Sequence, residues 1–206
     1  MIKYVYYPEI TSTQKVLIND FKNKKIKENI CYWSDYQTDG IGSRGNKWIG
    51  KRGNLFFSFL VNKNIFSNVP LQSFSIYFGW ILKKVLNKNG SSAILKWPND
   101  IYLLKEKPKK IGGIITNIFN DFLVVGIGLN TKFSPSNEFD SLDINIKNVK
   151  ILEDFFNEIF LIYKFEDIMR EFKNEFYKTK HILKIDGDLD FDGALIKNNK
   201  KVYSKR

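Results

Sequence analysis

The feature that most constrains the fold is a glycine-rich loop, Gln37 to Gly53, enclosed by two apolar runs. The runs, Ile30 to Tyr36 and Leu55 to Val61, have the composition of buried strands. A connection of about 17 residues without strand or helix periodicity is more often a lid or a binding loop than a plain connector. Its five glycines let backbone amides approach a ligand closely. Its basic residues, which favour an anionic ligand, are Arg44, Lys47, Lys51 and Arg52.

Length and composition indicate one folded domain. The 206 residues suit a single domain with at most a small appendage, and 43% hydrophobic residues can form its core. No apolar run reaches the ~20 residues needed to span a bilayer, and the chain begins with a strand-like segment, so we expect a cytoplasmic protein without membrane association. Cys31 and His181 are the only residues of their kinds, which excludes an intrachain disulfide and a cysteine-cluster zinc site and disfavours a histidine-based nucleophilic site.

The net charge of +11 suggests an acidic partner, which could be nucleic acid, a membrane surface or an acidic protein. Only four of the 33 basic residues are arginine, the residue that nucleic-acid readers prefer for its planar, bidentate fork. The lysines are scattered among asparagines. We therefore interpret the charge as compositional bias more than a binding stripe, and a nucleic-acid-binding protein is the less favoured alternative.

The rest of the sequence predicts alternating strands and helices. Apolar residues at helical spacing predict a helix after Thr13 and three more at 71–88, 152–163 and 165–176. One hydroxyl of Thr11 to Thr13 is the expected N-cap, although a helix start can also bind a polar ligand. Residues 131–149 are polar and irregular, and short β-runs follow Ile182. The predicted strands are 3–7, 30–36, 55–61, two pieces within 94–104, 111–119 and 122–129.

Three apparent motifs fail on their context. Gly40 to Gly45 matches the dinucleotide fingerprint, but the chain continues into a strand where that motif must open a helix. The same residues lack the lysine and the Gly-Lys-Ser/Thr ending of a P-loop. Asp188 to Gly193 begins like a calcium-binding loop, yet its twelfth position is Asn199 where a glutamate is required, so calcium is not expected.

Five short motifs remain after these exclusions. They are Ser12-Thr13-Gln14, Gln37 with the glycine loop, Lys96-Trp97-Pro98-Asn99-Asp100, Lys110-Ile111-Gly112-Gly113, and Gly126 to Asn130. In this combination, from about Tyr7 to Asn130, the chain resembles the catalytic domain of biotin protein ligases. The resemblance implies an α+β fold, a mixed β-sheet with helices mainly on one face, related to class II aminoacyl-tRNA synthetases. It divides the chain into a catalytic domain, 1–180, and a short β appendage, 181–206, the remnant of an SH3-like domain.

The resemblance also implies roles for individual residues. Lys110 and Arg44 would be catalytic, with Lys110 contacting the biotin carboxylate and the α-phosphate of ATP. Asp100 would be the candidate Mg²⁺ ligand. Biotin would be bound by Ser12, Thr13, Gln14, Gln37, Gly40, Ile41, Gly42, Ser43, Lys110 and Gly113. ATP would be bound by Arg44, Asn46, Trp48, Lys96, Asn99, Asp100 and Asn130.

The implied activity is a two-step ligation that uses ATP, Mg²⁺ and biotin. Biotinyl-5′-AMP forms first, and a lysine of a biotin carboxyl carrier protein, a subunit of acetyl-CoA carboxylase, then attacks it. We expect a monomer or weak homodimer. No DNA binding is expected, because no helix-turn-helix segment precedes the catalytic domain. The alternative within the same fold is a lipoate or octanoate ligase or transferase, which Gln37 and the hydroxyls disfavour because a fatty-acyl pocket should be apolar.

The glycine loop departs from the family pattern. The family loop commonly reads Gly-Arg-Gly-Arg-x-Gly, whereas Ile41 and Ser43 occupy the two arginine positions here. An arginine can hold a phosphate by bidentate, charge-assisted hydrogen bonds, while a serine offers one neutral bond. We therefore expect this chain to hold biotinyl-AMP less tightly than arginine-bearing relatives, unless Lys47, Lys51 or Arg52 compensates.

Replacing Ser43 by arginine tests this expectation. Ser43→Arg should slow the dissociation of preformed biotinyl-AMP, because it restores a charged contact to the phosphate. It should also reduce stray biotinylation of bystander lysines when no carrier is present. Release would be followed with labelled adenylate. A wild-type chain that already releases adenylate as slowly as an arginine-bearing ligase, with no change on substitution, would contradict the prediction.

Overall fold

A computed structural model describes residues 2–203. Its helices are α1 (Thr13–Lys22), α2 (Phe74–Lys88), α3 (Asn148–Ile159) and α4 (Phe165–Thr179). Its strands are β1 (Lys3–Tyr7), β2 (Ile30–Ser34), β3 (Gly40–Ile41), β4 (Lys47–Trp48), β5 (Leu55–Asn62), β6 (Ile94–Lys96), β7 (Asp100–Leu103), β8 (Lys109–Phe119), β9 (Phe122–Leu129), β10 (Asp188–Leu189), β11 (Leu195–Lys197) and β12 (Lys200–Val202). None of these helices is long and apolar enough to cross a membrane.

Seven strands form the central sheet, in the order β1-β2-β5-β9-β8-β7-β6. β1 runs parallel to β2, and the other neighbours are antiparallel. The longest pairings hold the middle of the sheet, where β5 pairs with β9 from Leu55 opposite Leu129 to Asn62 opposite Phe122. The predicted mixed sheet is therefore confirmed.

The two faces of this sheet are covered unequally. Successive side chains of a strand point to opposite faces, so alternate residues of β5 and β9 enter different layers. Leu55, Phe57 and Phe59 join the main core, where α2, α3 and α4 also place their buried residues. Leu60 and Val124 face the other way, into a smaller cluster with α1. The prediction of helices mainly on one face is correct.

The structure corrects the sequence analysis in the glycine loop. Residues 37–53 were expected to lack strand structure, but β3 and β4 pair inside them as a small antiparallel hairpin, with Gly40 opposite Trp48. Two-residue strands are too short to show an alternating pattern, so the sequence did not predict this hairpin. The other differences are shifts of element ends. For example, α2 begins at Phe74 rather than Leu71, because a 3₁₀ turn occupies Leu71–Ser73.

The C-terminal strands form a separate three-stranded sheet, β10-β11-β12. The predicted turns have the left-handed backbone that their residues tolerate, with φ of +86° at Gly193 and +48° and +58° at Asn198 and Asn199. Leu189 and Leu195 are buried in the main core, and Trp97 Nε1 donates to the Gly193 carbonyl at 2.9 Å. This sheet therefore packs directly against the larger part of the chain, and a domain boundary at 180 stays a prediction.

The bond from Trp97 to the C-terminal sheet can be removed without removing the ring. Trp97→Phe should lower the free energy of unfolding by about 1 kcal/mol, because a part-buried hydrogen bond is lost while most apolar contact remains. Urea denaturation would measure the change. Trp33→Phe is the matched control, since Trp33 Nε1 makes no hydrogen bond to another residue of 2–203. Equal losses in the two variants would contradict a specific role for the bond.

Candidate active site

The candidate site lies on the face of the central sheet that carries α1. This face carries no side chains at three positions of β8 and β9, which are Gly113, Gly126 and Gly128. A Cβ atom at Gly126 would lie 2.5 Å from Gln14 Oε1, and one at Gly128 would lie 2.6 Å from Trp48 Cε2. Because such short contacts are sterically forbidden, glycine is needed for these two side chains to lie flat on the sheet.

One end of the site is a buried hydrogen-bonded cluster at the start of α1. Ser12 caps the helix through its side chain, which confirms the expected capping role of a hydroxyl here. Gln37 Oε1 accepts two bonds from Thr13, one from the backbone N at 2.8 Å and one from Oγ1 at 3.1 Å. Thr13 Oγ1 also lies 2.8 Å from Ser58 Oγ. These bonds orient the Gln37 amide, and its Nε2, which has no hydrogen-bond partner among residues 2–203, can donate to a ligand.

An ion pair lies beside this polar end. Lys110 Nζ is 2.7 Å from Asp100 Oδ1, and each side chain is 22% exposed. The Lys110 ammonium also lies 5.3 Å from the centre of the Trp48 ring, within the range of a cation–π contact. The site therefore holds a cation with a carboxylate partner, in surroundings that shield most of both side chains from water.

A β-bulge places Lys110 on the face of the site. Gly112 pairs with Ile101 and Lys110 pairs with Tyr102, so Ile111 is an extra residue in β8. In a regular strand, Lys110 and Gly113 would point to opposite faces because they are three residues apart. The extra residue shifts this alternation, and the two residues line the same cavity.

The β3–β4 hairpin covers the site as a lid. Its tip is closed by a bond from Gly42 N to the Asn46 carbonyl at 2.7 Å, and Arg44 has a left-handed backbone with φ of +59°. Arg44 is not glycine, so this conformation carries a steric cost that the tight tip must offset. The lid is open to solvent at its tip, where Arg44 and Asn46 are exposed.

Three adjoining cavities meet at Gly42 and Ser43 beneath the lid. The first runs from the polar end to Lys110, and the third lies between the end of the glycine loop and the segment after β9. The second opens toward the start of α2. The third cavity is lined by Gly42, Ser43, Asn46, Lys47, Trp48, Ile49, Lys110, Asn130 and Phe139.

Nearly all residues that the sequence analysis named come together around these cavities. Arg44 lines the second cavity, and Asn46 and Asn130 line the third. Gly40 lies in the hairpin next to Gln37 Nε2. The named residues that line the first cavity are Ser12, Thr13, Gln14, Gln37, Ile41, Gly42, Ser43, Trp48, Asn99, Asp100, Lys110 and Gly113. Their individual roles stay predictions.

Lys96, like Gly40, lines none of these cavities, and it contacts Tyr102 instead. Its ammonium lies 4.5 Å from the centre of the Tyr102 ring and 3.4 Å from the Tyr102 hydroxyl. Burial, with a smaller contribution from the charge of Asp100, raises the pKa of Tyr102 to about 12. Tyr102 is therefore neutral at physiological pH, and it contacts the ammonium of Lys96 on the edge strand.

The structure also adds residues that sequence reasoning did not name. Ser58 contacts Thr13, Gln72 and Asn117 line the second cavity, and Phe139 lines the third. A hydroxyl inside the apolar run Leu55 to Val61 is a signal that could have identified Ser58. Phe139 lies in an irregular polar segment and had no such signal.

Two of the three cations proposed to compensate for Ser43 lie elsewhere. Arg52 contacts the Glu9 carboxylate, and its guanidinium lies 4.7 Å from the centre of the Tyr36 ring. Lys51 is exposed and lines none of the three cavities. Lys47 lines the third cavity and is the cation that can approach a ligand there.

The residues at the site fit a magnesium ion only as a companion of phosphate. Within residues 2–203 no group of three or more His, Cys, Asp or Glu side chains converges. Asp100 offers one carboxylate, which Lys110 already contacts. Mg²⁺ in nucleotide sites commonly uses one or two protein carboxylates and takes its remaining ligands from phosphate and water. Such an ion would be held mainly by the phosphates of a bound nucleotide.

Comparison with solved structures finds the same architecture over almost the whole chain. Biotin acetyl coenzyme A carboxylase synthetase from Helicobacter pylori, solved with bound biotinylated ATP, superposes with a TM-score of 0.89 at 30% identity, covering 98% of this chain and 100% of that one. Biotin protein ligase from Aquifex aeolicus, solved with biotin and ATP, has a TM-score of 0.77 at 22% identity, covering 98% and 95% of the two chains. The predicted fold class is confirmed.

Sequence comparison identifies the family. Biotin–protein ligase 2 from Arabidopsis thaliana is 35% identical over 135 residues, covering 61% of this chain and 40% of that protein. The bifunctional ligase/repressor BirA of Escherichia coli is 30% identical over 132 residues, covering 60% and 39%. The chain thus spans about two fifths of the length of these curated relatives. The model of the biotin/lipoate A/B protein ligase family matches residues 6–130, more than half of the chain, and the chain belongs to that family.

Proposed function

We propose that this chain attaches biotin to a lysine of a biotin carboxyl carrier protein, using ATP and a biotinyl-5′-AMP intermediate. The observation that carries the proposal is the first cavity, which joins the polar end at Thr13 to the Lys110–Asp100 pair and adjoins the third cavity at Lys110. Its strongest support among relatives is the Helicobacter pylori synthetase with bound biotinylated ATP, which this chain matches over 98% of its length at 30% identity.

The polar end suits the ureido ring of biotin, which carries one carbonyl acceptor and two N–H donors. Gln37 is oriented by Thr13 and can donate through Nε2, while the hydroxyls of Ser12 and Ser58 can donate or accept. If the ring were buried without such partners, no hydrogen bonds would offset the free energy of desolvating its polar atoms. The acid chain of biotin would then extend along the first cavity toward Lys110.

In the first step, a biotin carboxylate oxygen attacks the α-phosphorus of ATP. A new P–O bond forms, the bond to the β-phosphate oxygen breaks, and pyrophosphate leaves with the bonding electrons. Two anions must meet in this reaction, so cations and amides near the α-phosphate lower its barrier. Lys110 is the cation at this point, and Asp100 fixes its ammonium. Arg44 and the amides of the lid would contribute further positive charge.

In the second step, the amine of the carrier lysine attacks the carbonyl carbon of the anhydride. An amide bond forms, and AMP and a proton are released. The mixed anhydride would hydrolyse if it were exposed to water, so a closed lid is required between the steps. The β3–β4 hairpin over the three cavities can serve as that lid. Mg²⁺ bound with ATP would neutralise part of the phosphate charge.

The rival within the same family is a lipoate or octanoate ligase. A fatty-acyl pocket should be apolar throughout, because a buried polar group without a partner costs free energy. The hydroxyls and amide at Ser12, Thr13 and Gln37 favour the ureido ring over such a chain. We further propose that the protein works in the cytoplasm as a monomer or weak homodimer and binds no DNA.

The direct test combines purified protein, ATP, magnesium and labelled biotin, with and without a carrier domain. We expect pyrophosphate release that depends on biotin, and label on the carrier lysine when carrier is present. Lipoate and octanoate in parallel reactions distinguish the rival acids. Activity with an acyl chain but not with biotin would reject the biotin assignment, and duplex binding without any ATP-dependent transfer would favour the nucleic-acid alternative.

Removing the cation of the ion pair should stop the first step. Lys110→Ala should cost about two to four kcal/mol of transition-state stabilisation, because charge develops beside this ammonium. Biotin-dependent pyrophosphate release measures the loss. The control is Lys109→Ala, which removes the neighbouring lysine of the same strand, outside the three cavities. Near-normal turnover of Lys110→Ala would remove Lys110 from the mechanism.

Gln37 provides a test of ring recognition that separates its donor from its acceptor. Gln37→Ala should weaken biotin binding, since a buried partner of the ring is lost. Gln37→Glu keeps an oxygen for the two Thr13 bonds but replaces the Nε2 donor with a second acceptor. We therefore expect both variants to bind biotin more weakly by calorimetry. A glutamate variant with unchanged affinity would show that Nε2 does not contact biotin.

A further inference from the structure

The third cavity has two walls that come from distant parts of the chain. One wall is the end of the glycine loop, Lys47 to Ile49, and the other is Asn130 and Phe139 from the segment after β9. Neither wall belongs to a strand of the central sheet. Asn130 N donates to the Ile111 carbonyl at 2.7 Å and Phe139 forms a β-bridge with Lys110, so β8 holds the second wall. The position of the first wall relative to it then depends on contacts between the glycine loop and the segment after β9.

Asn54 supplies most of those contacts. It lies at the junction of the glycine loop and β5, and its side chain is fully buried. Its Oδ1 accepts from the backbone N atoms of Lys132 and Phe133, both at 3.0 Å. Its Nδ2 donates to the Phe133 carbonyl at 2.8 Å and to Asn130 Oδ1 at 3.3 Å. Both donors and both lone pairs of this amide are thus directed to the segment that forms the opposite wall.

Asn130 extends this connection to the strand of Lys110. Asn130 is also fully buried, and its Nδ2 donates to the Asp140 carbonyl at 3.1 Å. The backbone N of Asp140 in turn donates to the Lys110 carbonyl at 3.0 Å. The amide of Asn130 is therefore bonded within the protein on both sides, which suits a residue that holds the cavity wall in place.

Further bonds fix the backbone next to Asn54. Asn148 Nδ2 donates to the carbonyls of Gly53 and Asn54, at 3.2 and 3.3 Å, and Thr131 Oγ1 donates to the Gly53 carbonyl at 3.3 Å. Gly53 has φ of +96°, a conformation that favours glycine. The junction between loop and strand is consequently held from both ends of the segment 131–148.

We propose that Asn54 is a positioning residue that sets the width of the third cavity and, through Asn130, the position of its inner wall. The inference rests on the proposed function and adds that the nucleotide occupies this cavity, beyond Lys110, while biotin occupies the first. Loss of the Asn54 amide should therefore weaken the binding of ATP selectively. The polar end at Thr13 and Gln37 shares no hydrogen bond with this network and should keep its ligand.

Asn54→Ala is the first test, with dissociation constants for ATP and for biotin measured separately by calorimetry. We expect the ATP affinity to fall by about tenfold or more, since several buried bonds are lost, while the biotin affinity stays within about twofold. The KM for ATP should rise in the same proportion. Asn62→Ala is the control at the other end of β5, where the side chain accepts from Asn64 N and makes no other hydrogen bond within the described part of the chain.

A second variant covers the case in which alanine unfolds the chain. Asn54→Ser keeps a short polar side chain without burying a charge, and it cannot make all four amide bonds, so it should show the same selectivity with a smaller loss. Equal weakening of ATP and biotin in either folded variant would reduce Asn54 to a general stabiliser and overturn the inference, as would unchanged affinity for ATP. A wild-type chain that binds ATP but makes no biotinyl-AMP would reject the proposed function alone.

Discussion

The arrangement depends on one constraint, which is that β5 and β9 must serve two opposite purposes on their two faces. A strand alternates its side chains, so each face can be composed independently. On one face, Phe57 and Phe59 contribute to a large apolar core. On the other face, Ser58, Gly126 and Gly128 have small side chains or none, which leaves space above the backbone. The first cavity occupies that space.

The behaviour of the ion pair at the site depends on how accessible this face is to water and to ligands. Lys110 and Asp100 are each 22% exposed, so the pair borders the cavity and is not sealed in the core. An anionic ligand can therefore compete for the ammonium without a large structural cost. A deeply buried pair would resist such an exchange, because separating it would leave an uncompensated charge in a medium of low dielectric.

The parts of this structure that sequence patterns predict are those with many periodic residues. α2 and β5 have long apolar patterns, and their type and approximate ends follow from them. The β3–β4 hairpin is too short for any period. The bulge at Ile111 is invisible for another reason, since the spacing of Lys110 and Gly113 alone predicts opposite faces and only the pairing register reveals the extra residue.

Motif resemblance supplied most of the site where periodicity did not, because it names residues without needing their geometry. It could not supply the bonds among them. Thr13 with Gln37 and Ser58 is a contact between residues 24 and 45 positions apart. Asn54 carried no visible signal, since a single asparagine after glycine suits any turn. The role proposed for Asn54 depends on the position of Asn130 at the end of β9, which only the folded sheet determines.

The unequal covering of the two faces has a consequence for how the molecule fluctuates. Three helices pack on one side, while a ten-residue helix and a short hairpin cover the other. Opening free energies in a protein range from near zero up to that of global unfolding, and they follow local burial. Amide protons of α1 and the hairpin should consequently exchange through local openings that leave β5, β9 and the helical layer intact, so this face can admit and release ligands while the rest of the chain stays folded.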